Sequence, residues 1–248
     1  MYSHDKKVSN LFCYWLIGTL VLVFTTIIVG GLTRLTDSGL SITEWELFKG
    51  ILPPLSNESW DNYFNLYKEI PQFKLQNPTM SLEEFKIIFY WEYFHRILGR
   101  FIGIFFLIPL LYFHITKKIN RNYIFASYFI FLLIVVQGVI GWYMVKSGLV
   151  NDVTVSHYRL SLHLSTALII ISSIFWLIIN IRNNTHKEFF SVANKNIIFQ
   201  ILFFLILLQV ILGAFVSGLD AGRIYQTWPL MGHTFIPNDL ILENLNNI

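Results

Sequence analysis

Five uninterrupted apolar runs restrict this chain more than any other feature. They cover residues 11–32, 87–113, 123–145, 160–181 and 197–219, and each supplies the ~20 residues that a helix needs to cross the hydrocarbon core of a bilayer. In lipid the backbone must satisfy its own hydrogen bonds, so apolar runs of this length become helices. Composition agrees, with 54% of the 248 residues hydrophobic and only 13% charged, which excludes disorder and an ordinary soluble domain. A net charge of +3 without a dense basic run offers nucleic acid no surface. The single cysteine, Cys13, lies inside an apolar run, reads as a small packing side chain, and leaves no intramolecular disulfide and no cysteine metal site. Lys6 and Lys7 precede the first run as they would in a signal peptide. That run is too long and lacks a small-x-small cleavage pattern, so it reads as a retained helix.

The connections set the expected orientation. Residues 114–122 carry Lys117, Lys118 and Arg121 with no acid, and residues 182–196 carry Arg182, Lys187 and Lys195 against Glu188. The long stretch between the first two helices holds eight acids against five bases. Positive charge stays on the cytoplasmic side, which places the N-terminus and both basic loops inside and the long loop outside. Pro109 is expected to kink the second helix.

The second apolar run opens with Trp91-Glu92-Tyr93-Phe94-His95-Arg96-Ile97-Leu98-Gly99-Arg100. Helical spacing aligns Glu92, His95, Gly99 and Gly103 along one side, giving an acid, a metal ligand and then a lane without side chains. Ionisable groups inside a bilayer are costly and mark functional sites. The fourth run repeats the pattern with Arg159, His163 and Ala167 at i, i+4 and i+8. Both histidines fall at a depth of roughly 5–12 Å, at ~1.5 Å per residue. Two imidazoles at matched depth can supply both axial positions of one haem iron, with Arg96, Arg100 and Arg159 nearer the surface as partners for propionates. A lone membrane histidine would more simply be a packing residue; the matched pair points to ligation. His157, six residues from His163, is given an interfacial role, while His4, His114, His186 and His233 fall in the tail or loops. Glu92 has two readings: a proton acceptor or water-positioning group beside the iron, or an interfacial carboxylate paired with Arg96.

The segment from Gly30 to Trp45, rich in Gly, Ser, Thr and Asp, is expected to form turns rather than helix. Arg34, Asp37, Gly39 and Trp45 are its distinctive residues. Trp60, Tyr63, Phe64, Tyr67, Tyr90 and Trp91 read as an aromatic belt at the membrane surface, and a loop this long suggests a lid or binding element. Displacing the chain on itself by 183 positions pairs Gly30 with Gly213, Asp37 with Asp220, Gly39 with Gly222, Trp45 with Trp228, Leu47 with Leu230 and Pro54 with Pro237. The implied architecture is all-α: a four-helix transmembrane unit, 1–185, with its long outer loop at 32–86, and the start of a duplicated unit at 186–248. By this register the chain stops within the second outer loop, ahead of any counterpart of Glu92, His95 or His163, and is expected to be incomplete.

These residues resemble the haem A synthase family, in its alphaproteobacterial and mitochondrial branch. The likeness is carried by Gly30–Ser41, by Glu92-x-x-His95-Arg96, by Tyr158-Arg159-Leu160 with His163-Leu164, by Gly218-Leu219-Asp220-Ala221-Gly222 and by Trp228-Pro229-Leu230-Met231-Gly232. The resemblance implies an eight-helix enzyme of the bacterial inner membrane that oxidises a methyl group of haem O to the formyl group of haem A for cytochrome oxidase. It implies that His95 and His163 bind the haem being modified and that Glu92 is the essential acid. It also implies a haem b in the second half, most of which this chain lacks, and the other branch's loop cysteine pair is absent. Haem O synthase and the cytochrome oxidase assembly apparatus are the implied neighbours; the chain could also associate with copies of itself. The electron donor is not readable. Two other functions fit the residues: a bis-histidine membrane cytochrome that only carries electrons, needing neither Glu92 nor the long loop, and an inactive fragment of the synthase.

Overall fold

The computed structural model describes residues 6–44, 49–149, 153–183, 197–227 and 229–236. Its helices are α1 (Lys6–Leu35), α2 (Asn57–Lys68), α3 (Pro71–Gln76), α4 (Leu82–Thr116), α5 (Arg121–Gly148), α6 (His157–Arg182) and α7 (Ile197–Gly218). Five of them, α1 and α4 to α7, are long and apolar enough to span a membrane, and the protein is a multi-pass helical membrane protein. Among the described residues no sheet forms; one isolated bridge joins Met231 and Thr234. α1 packs against α4 and α6, and α5 closes the ring by packing against the same two helices. α7 leans on α6 from outside this four-helix ring.

The apolar runs predict the spans, but local polar chemistry sets their ends. α4 starts five residues before its apolar run because Ser81 and Glu84 form a capping box: the Glu84 N–H donates to Ser81 Oγ, and the Ser81 N–H donates to Glu84 Oε2 at 2.8 Å. α1 continues to Leu35, so the turn expected from Gly30 onward begins only after six more helical residues. Gly30 and Gly31 are tolerated because neighbouring helices hold that end of α1. The expected Pro109 lies within α4, which runs through it as one element.

Two separate cores result. The first fills the end of the bundle that carries the N-terminus. Phe12 and Leu16 of α1, Phe106, Leu110 and Phe113 of α4, and Ile170, Ile174 and Leu177 of α6 are almost wholly buried there. Phe12 and Phe113 meet edge to face at 4.8 Å, and Trp15 Nε1 donates to the Phe105 carbonyl at 3.1 Å. Cys13 belongs to this core. The second core lies at the opposite end, hereafter the loop end, where residues 36–81 connect α1 to α4. Trp60, Phe64 and Tyr67 of α2 pack there on Phe85, Ile88 and Phe89 of α4, with Leu40 and Ile42 beneath.

Three of the residues assigned to a surface belt are therefore core. Trp60, Phe64 and Tyr67 stand at i, i+4 and i+7, the signature of an amphipathic helix, and they bury that face against the first turns of α4. Tyr90, by contrast, remains exposed. A polar chain fixes the segment further. Tyr67 donates to Gln72 Oε1 at 3.1 Å, Asn77 donates to the Tyr67 hydroxyl at 2.9 Å, and Gln72 Nε2 donates to the Asp37 carbonyl at 2.9 Å. Burial pushes the Tyr67 phenol above its ordinary value, so it serves as a donor at every physiological pH.

Phe85→Ala removes a fully buried ring from the second core and should cost this segment about 3–5 kcal/mol. Limited proteolysis should then cut residues 36–81 faster while the spans stay protected. Unchanged cleavage would show that the aromatic cluster does not hold the segment.

Candidate functional site

His95 of α4 and His163 of α6 meet across the bundle, near its loop end, with ring centres 6.5 Å apart and planes inclined at 70°. Each ring is seated against a glycine of a neighbouring helix. A Cβ added to Gly30 of α1 would stand 2.8 Å from His95 Cε1, and one added to Gly141 of α5 would stand 3.0 Å from His163 Cε1. The Nδ1 atoms of both rings are buried and have no hydrogen-bond partner. Buried polar atoms are normally satisfied, so each imidazole is left with unmet hydrogen-bonding capacity inside the bundle. Gly99 and Gly103 of α4 and Gly138 of α5 have no heavy atom within 4 Å of where a Cβ would be, which leaves the predicted lane open.

These features fit an axially ligated macrocycle. One iron bound by a nitrogen of each ring, at metal–imidazole bonds of about 2 Å, puts the ring centres roughly 6 Å apart, close to the 6.5 Å observed. Among the described residues no group of three or more His, Cys, Asp or Glu could hold a bare metal ion. Haem needs only the axial pair, since its porphyrin supplies the remaining nitrogens.

Glu92, one turn before His95 on α4, reaches into the loop. It is buried, and both its oxygens are engaged. Oε2 accepts from the Ser41 hydroxyl at 2.7 Å and the Ile42 N–H at 2.8 Å, while Oε1 accepts from Arg96 Nη2 at 2.6 Å and Nε at 3.1 Å. Arg96 Nη2 also donates to the Ile42 carbonyl at 2.9 Å. The carboxylate and guanidinium thus clasp residues 41–42 onto α4, and Arg96 is committed to this clasp rather than standing ready for a propionate. Arg100, one turn along, lines a cavity of about 20 Å³ with Ile42, Glu44, Tyr93 and Arg96, room for about one water. Arg159 stacks on Tyr143, 4.1 Å from the ring centre, with its Nη1 buried and bonded to no described residue.

In the outer-loop motif Arg34 is the hub. It donates to Asp37 Oδ1 at 3.0 Å, to Asp220 Oδ1 at 3.0 Å and to the Ser217 carbonyl at 2.9 Å. Asp37 and Asp220, paired by the 183-residue displacement, both adopt a left-handed backbone with φ 51°. Gly39 meets nothing with an added Cβ, and Trp45 lies outside the described residues. His157 packs where α6 meets α7: a Cβ on Gly218 would come 2.7 Å from its own Cβ, and its ring meets Phe215 edge to face. His114 lies at the other end of α4, 2.6 Å from the Tyr128 hydroxyl.

Sequence reasoning missed Gln137 of α5, whose Nε2 donates to the His163 carbonyl at 3.0 Å and lies 3.4 Å from His163 Nε2. The available signal was a lone amide in an apolar run, four residues before Gly141. Ser41 and Ile42 were missed as well, because a backbone N–H carries no sequence signature.

Gly30→Ala or Gly141→Ala should displace the facing imidazole, because the added carbon approaches the ring edge to 3.0 Å or less. Each should lower the haem retained through purification several-fold with helix content unchanged by circular dichroism. Full retention in both would mean that the glycine seats do not set the ring positions.

Comparison with known proteins bears on this arrangement. A family model described as cytochrome oxidase assembly protein, COX15-CtaA, matches residues 13–247. The chain is 53% identical over 246 residues to the heme A synthase of Pelagibacter ubique (strain HTCC1062), covering 99% of this chain and 72% of that one. It is 47% identical to the heme A synthase of Parvibaculum lavamentivorans, over 92% of this chain and 65% of the relative. For the heme A synthase of Nitrosospira multiformis the identity is 46%, over 96% and 68%. The chain therefore spans roughly two thirds of the length of these curated relatives. No solved structure matches it. With five spanning helices and the paired imidazoles in place, the chain belongs to the COX15-CtaA family of cytochrome oxidase assembly proteins, alongside its heme A synthases.

Proposed function

We propose that this chain carries the haem-modifying site of a haem A synthase, binding haem O as substrate between His95 and His163 while one of its methyl groups is oxidised to a formyl group. The observation that carries the reading is the facing pair of imidazoles at 6.5 Å, each ring seated against a glycine of a neighbouring helix. The family's heme A synthases supply the reaction class. Arg100 and Arg159 receive the propionates at the loop end, and the glycine lane of α4 lies against the macrocycle.

Oxidising a methyl to a formyl group removes hydrogen as protons and electrons and adds one oxygen. Two axial histidines leave no open position on the iron, so the protein contributes orientation and proton handling rather than an oxygen-binding metal face. Glu92 is the carboxylate placed to take protons from this region or to position water, once Ser41 or Arg96 yields an oxygen of it. The described part of the second unit, residues 197–236, contains one histidine, His233. A second bis-imidazole iron does not fit there, so a resident haem b is assigned to no residue of this chain. The site lies at the loop end, which faces outward from the bacterial inner membrane if the basic loops remain cytoplasmic. Haem O synthase and the oxidase assembly apparatus are the neighbours this reading requires.

The clasp around Glu92 favours a second reading, a bis-histidine electron carrier in which the carboxylate is only structural. Glu92→Gln separates the two when the remaining helices are supplied in trans or by a full-length relative. An enzyme should keep low-spin haem but accumulate haem O, or a hydroxylated intermediate, in extracts separated by chromatography. Haem A equal to that of the parent would remove Glu92 from the chemistry. Ser41→Ala and Arg96→Gln weaken the clasp without removing the acid; if they reproduce the loss, the clasp rather than proton transfer is what the reaction needs. His95→Ala or His163→Ala should abolish or convert the low-spin spectrum, and His157→Ala should leave it intact.

Orientation is checked separately. An impermeant amine label added outside should react with Lys74 and spare Lys117 and Lys118; the reverse pattern would invert the placement of the site.

A further inference from the structure

We infer that Gln137 is a positioning residue for His163, holding the imidazole with its Nε2 lone pair free of a proton and set for iron. The inference rests on the reading of His163 as an axial ligand. Gln137 is an uncharged amide in the middle of α5, between Val136 and Gly138. A primary amide at membrane depth is costly unless it is bonded; the Nε2 group of this one is bonded to a single residue, while its Oε1 is buried without a partner among the described residues. Its Nε2 donates to the His163 carbonyl at 3.0 Å and reaches to 3.4 Å from His163 Nε2. The two hydrogens of one NH₂ group can serve both acceptors. Contact with a donor group keeps the proton on the other ring nitrogen, Nδ1, and leaves Nε2 as the acceptor.

The two contacts differ in strength, and the difference supports the role. The bond to the backbone carbonyl is of ordinary length and anchors the amide, whereas the approach to the ring nitrogen is long and weak. An iron can replace the weak contact while the anchor persists. Gly141, one turn further along α5, leaves room for the Cε1 edge of the same ring, which an added Cβ would approach to 3.0 Å. Gln137 and Gly141 therefore form a socket on one face of α5 that fixes both the rotation of the ring and which nitrogen is presented. His95 has its glycine seat from α1, but among the described residues no side-chain amide is bonded to it, so the two rings are not held alike. Partners of this kind commonly change metal affinity by about 10–100-fold.

The test uses the full chain, purified with haem b as the probe, and compares the parent with Gln137→Met, which keeps the length of the side chain but removes the amide. Two readouts are taken on folded protein: the electron paramagnetic resonance signal of the oxidised low-spin haem, and the rate at which haem is lost to an excess of apomyoglobin. Gln137→Met should release haem about tenfold faster and give a shifted or split low-spin signal as the His163 ring loses its fixed rotation. A residue that only supports the fold would reduce the yield of protein without altering the signal of what folds. A Met variant with the parental signal and release rate overturns the inference. If that variant yields no folded protein, Gln137→Asn, which withdraws the amide by one methylene, is read by the same two outcomes. His163→Ala distinguishes the underlying reading: if the parent has no low-spin signal, or keeps it without His163, the ligand assignment itself fails.

Discussion

The buried pair formed by Glu92 and Arg96 is the contact on which the loop end of this protein depends. Two charges at the margin of a membrane helix are costly unless each hydrogen-bonding position is answered. Here the answer comes from a segment 50 residues earlier in the chain, through the Ser41 hydroxyl and the N–H and carbonyl of Ile42. The pair therefore needs the loop as much as the loop needs the pair. Removing one member would leave the other buried without its partner, a loss of about 3–5 kcal/mol. Because Ile42 also belongs to the second core, the same contact couples the charge pair to the packing of α2 on α4.

The bundle divides along its length for a related reason. Large side chains close the end that carries the N-terminus, where Phe12, Phe106 and Phe113 interlock. Toward the loop end, glycines on α1, α4 and α5 replace them, and the space goes to two imidazoles and to a lane that added Cβ atoms would not fill against anything. Close packing is the normal state of a protein interior. A bundle that packs tightly at one end and holds paired, under-satisfied imidazoles at the other supports the proposal that a flat macrocycle binds there. Arg34 extends this order beyond the ring of four helices, by tying the ends of α1 and α7 through Asp37 and Asp220.

Much of this was legible in the residues, and the parts that were not share a cause. The five spans could be read because run length alone reports a backbone that must bond to itself. The histidines could be read because their depth follows from counting residues along a rigid helix. The aromatic face of α2 was written at i, i+4 and i+7 but was taken for a surface belt, since Trp and Tyr are common in both settings. The helical extension through Gly30 to Leu35 ran against local propensity and was decided by packing on α4 and α6. The displacement by 183 residues paired Asp37 with Asp220, yet nothing in it indicated that Arg34 would bridge them.

The sequence by itself determined the class of fold, the number of described spans, and the two paired imidazoles with their common depth, because each depends on composition and spacing along one helix. Only the tertiary structure decided which way Glu92 points, which arginine it engages, which glycine seats each ring and that Gln137 reaches His163. Those are contacts between helices, and they depend on the rotation of each helix about its own axis. A rotation of that kind is set by the whole packed ring at once, so no single stretch of residues records it.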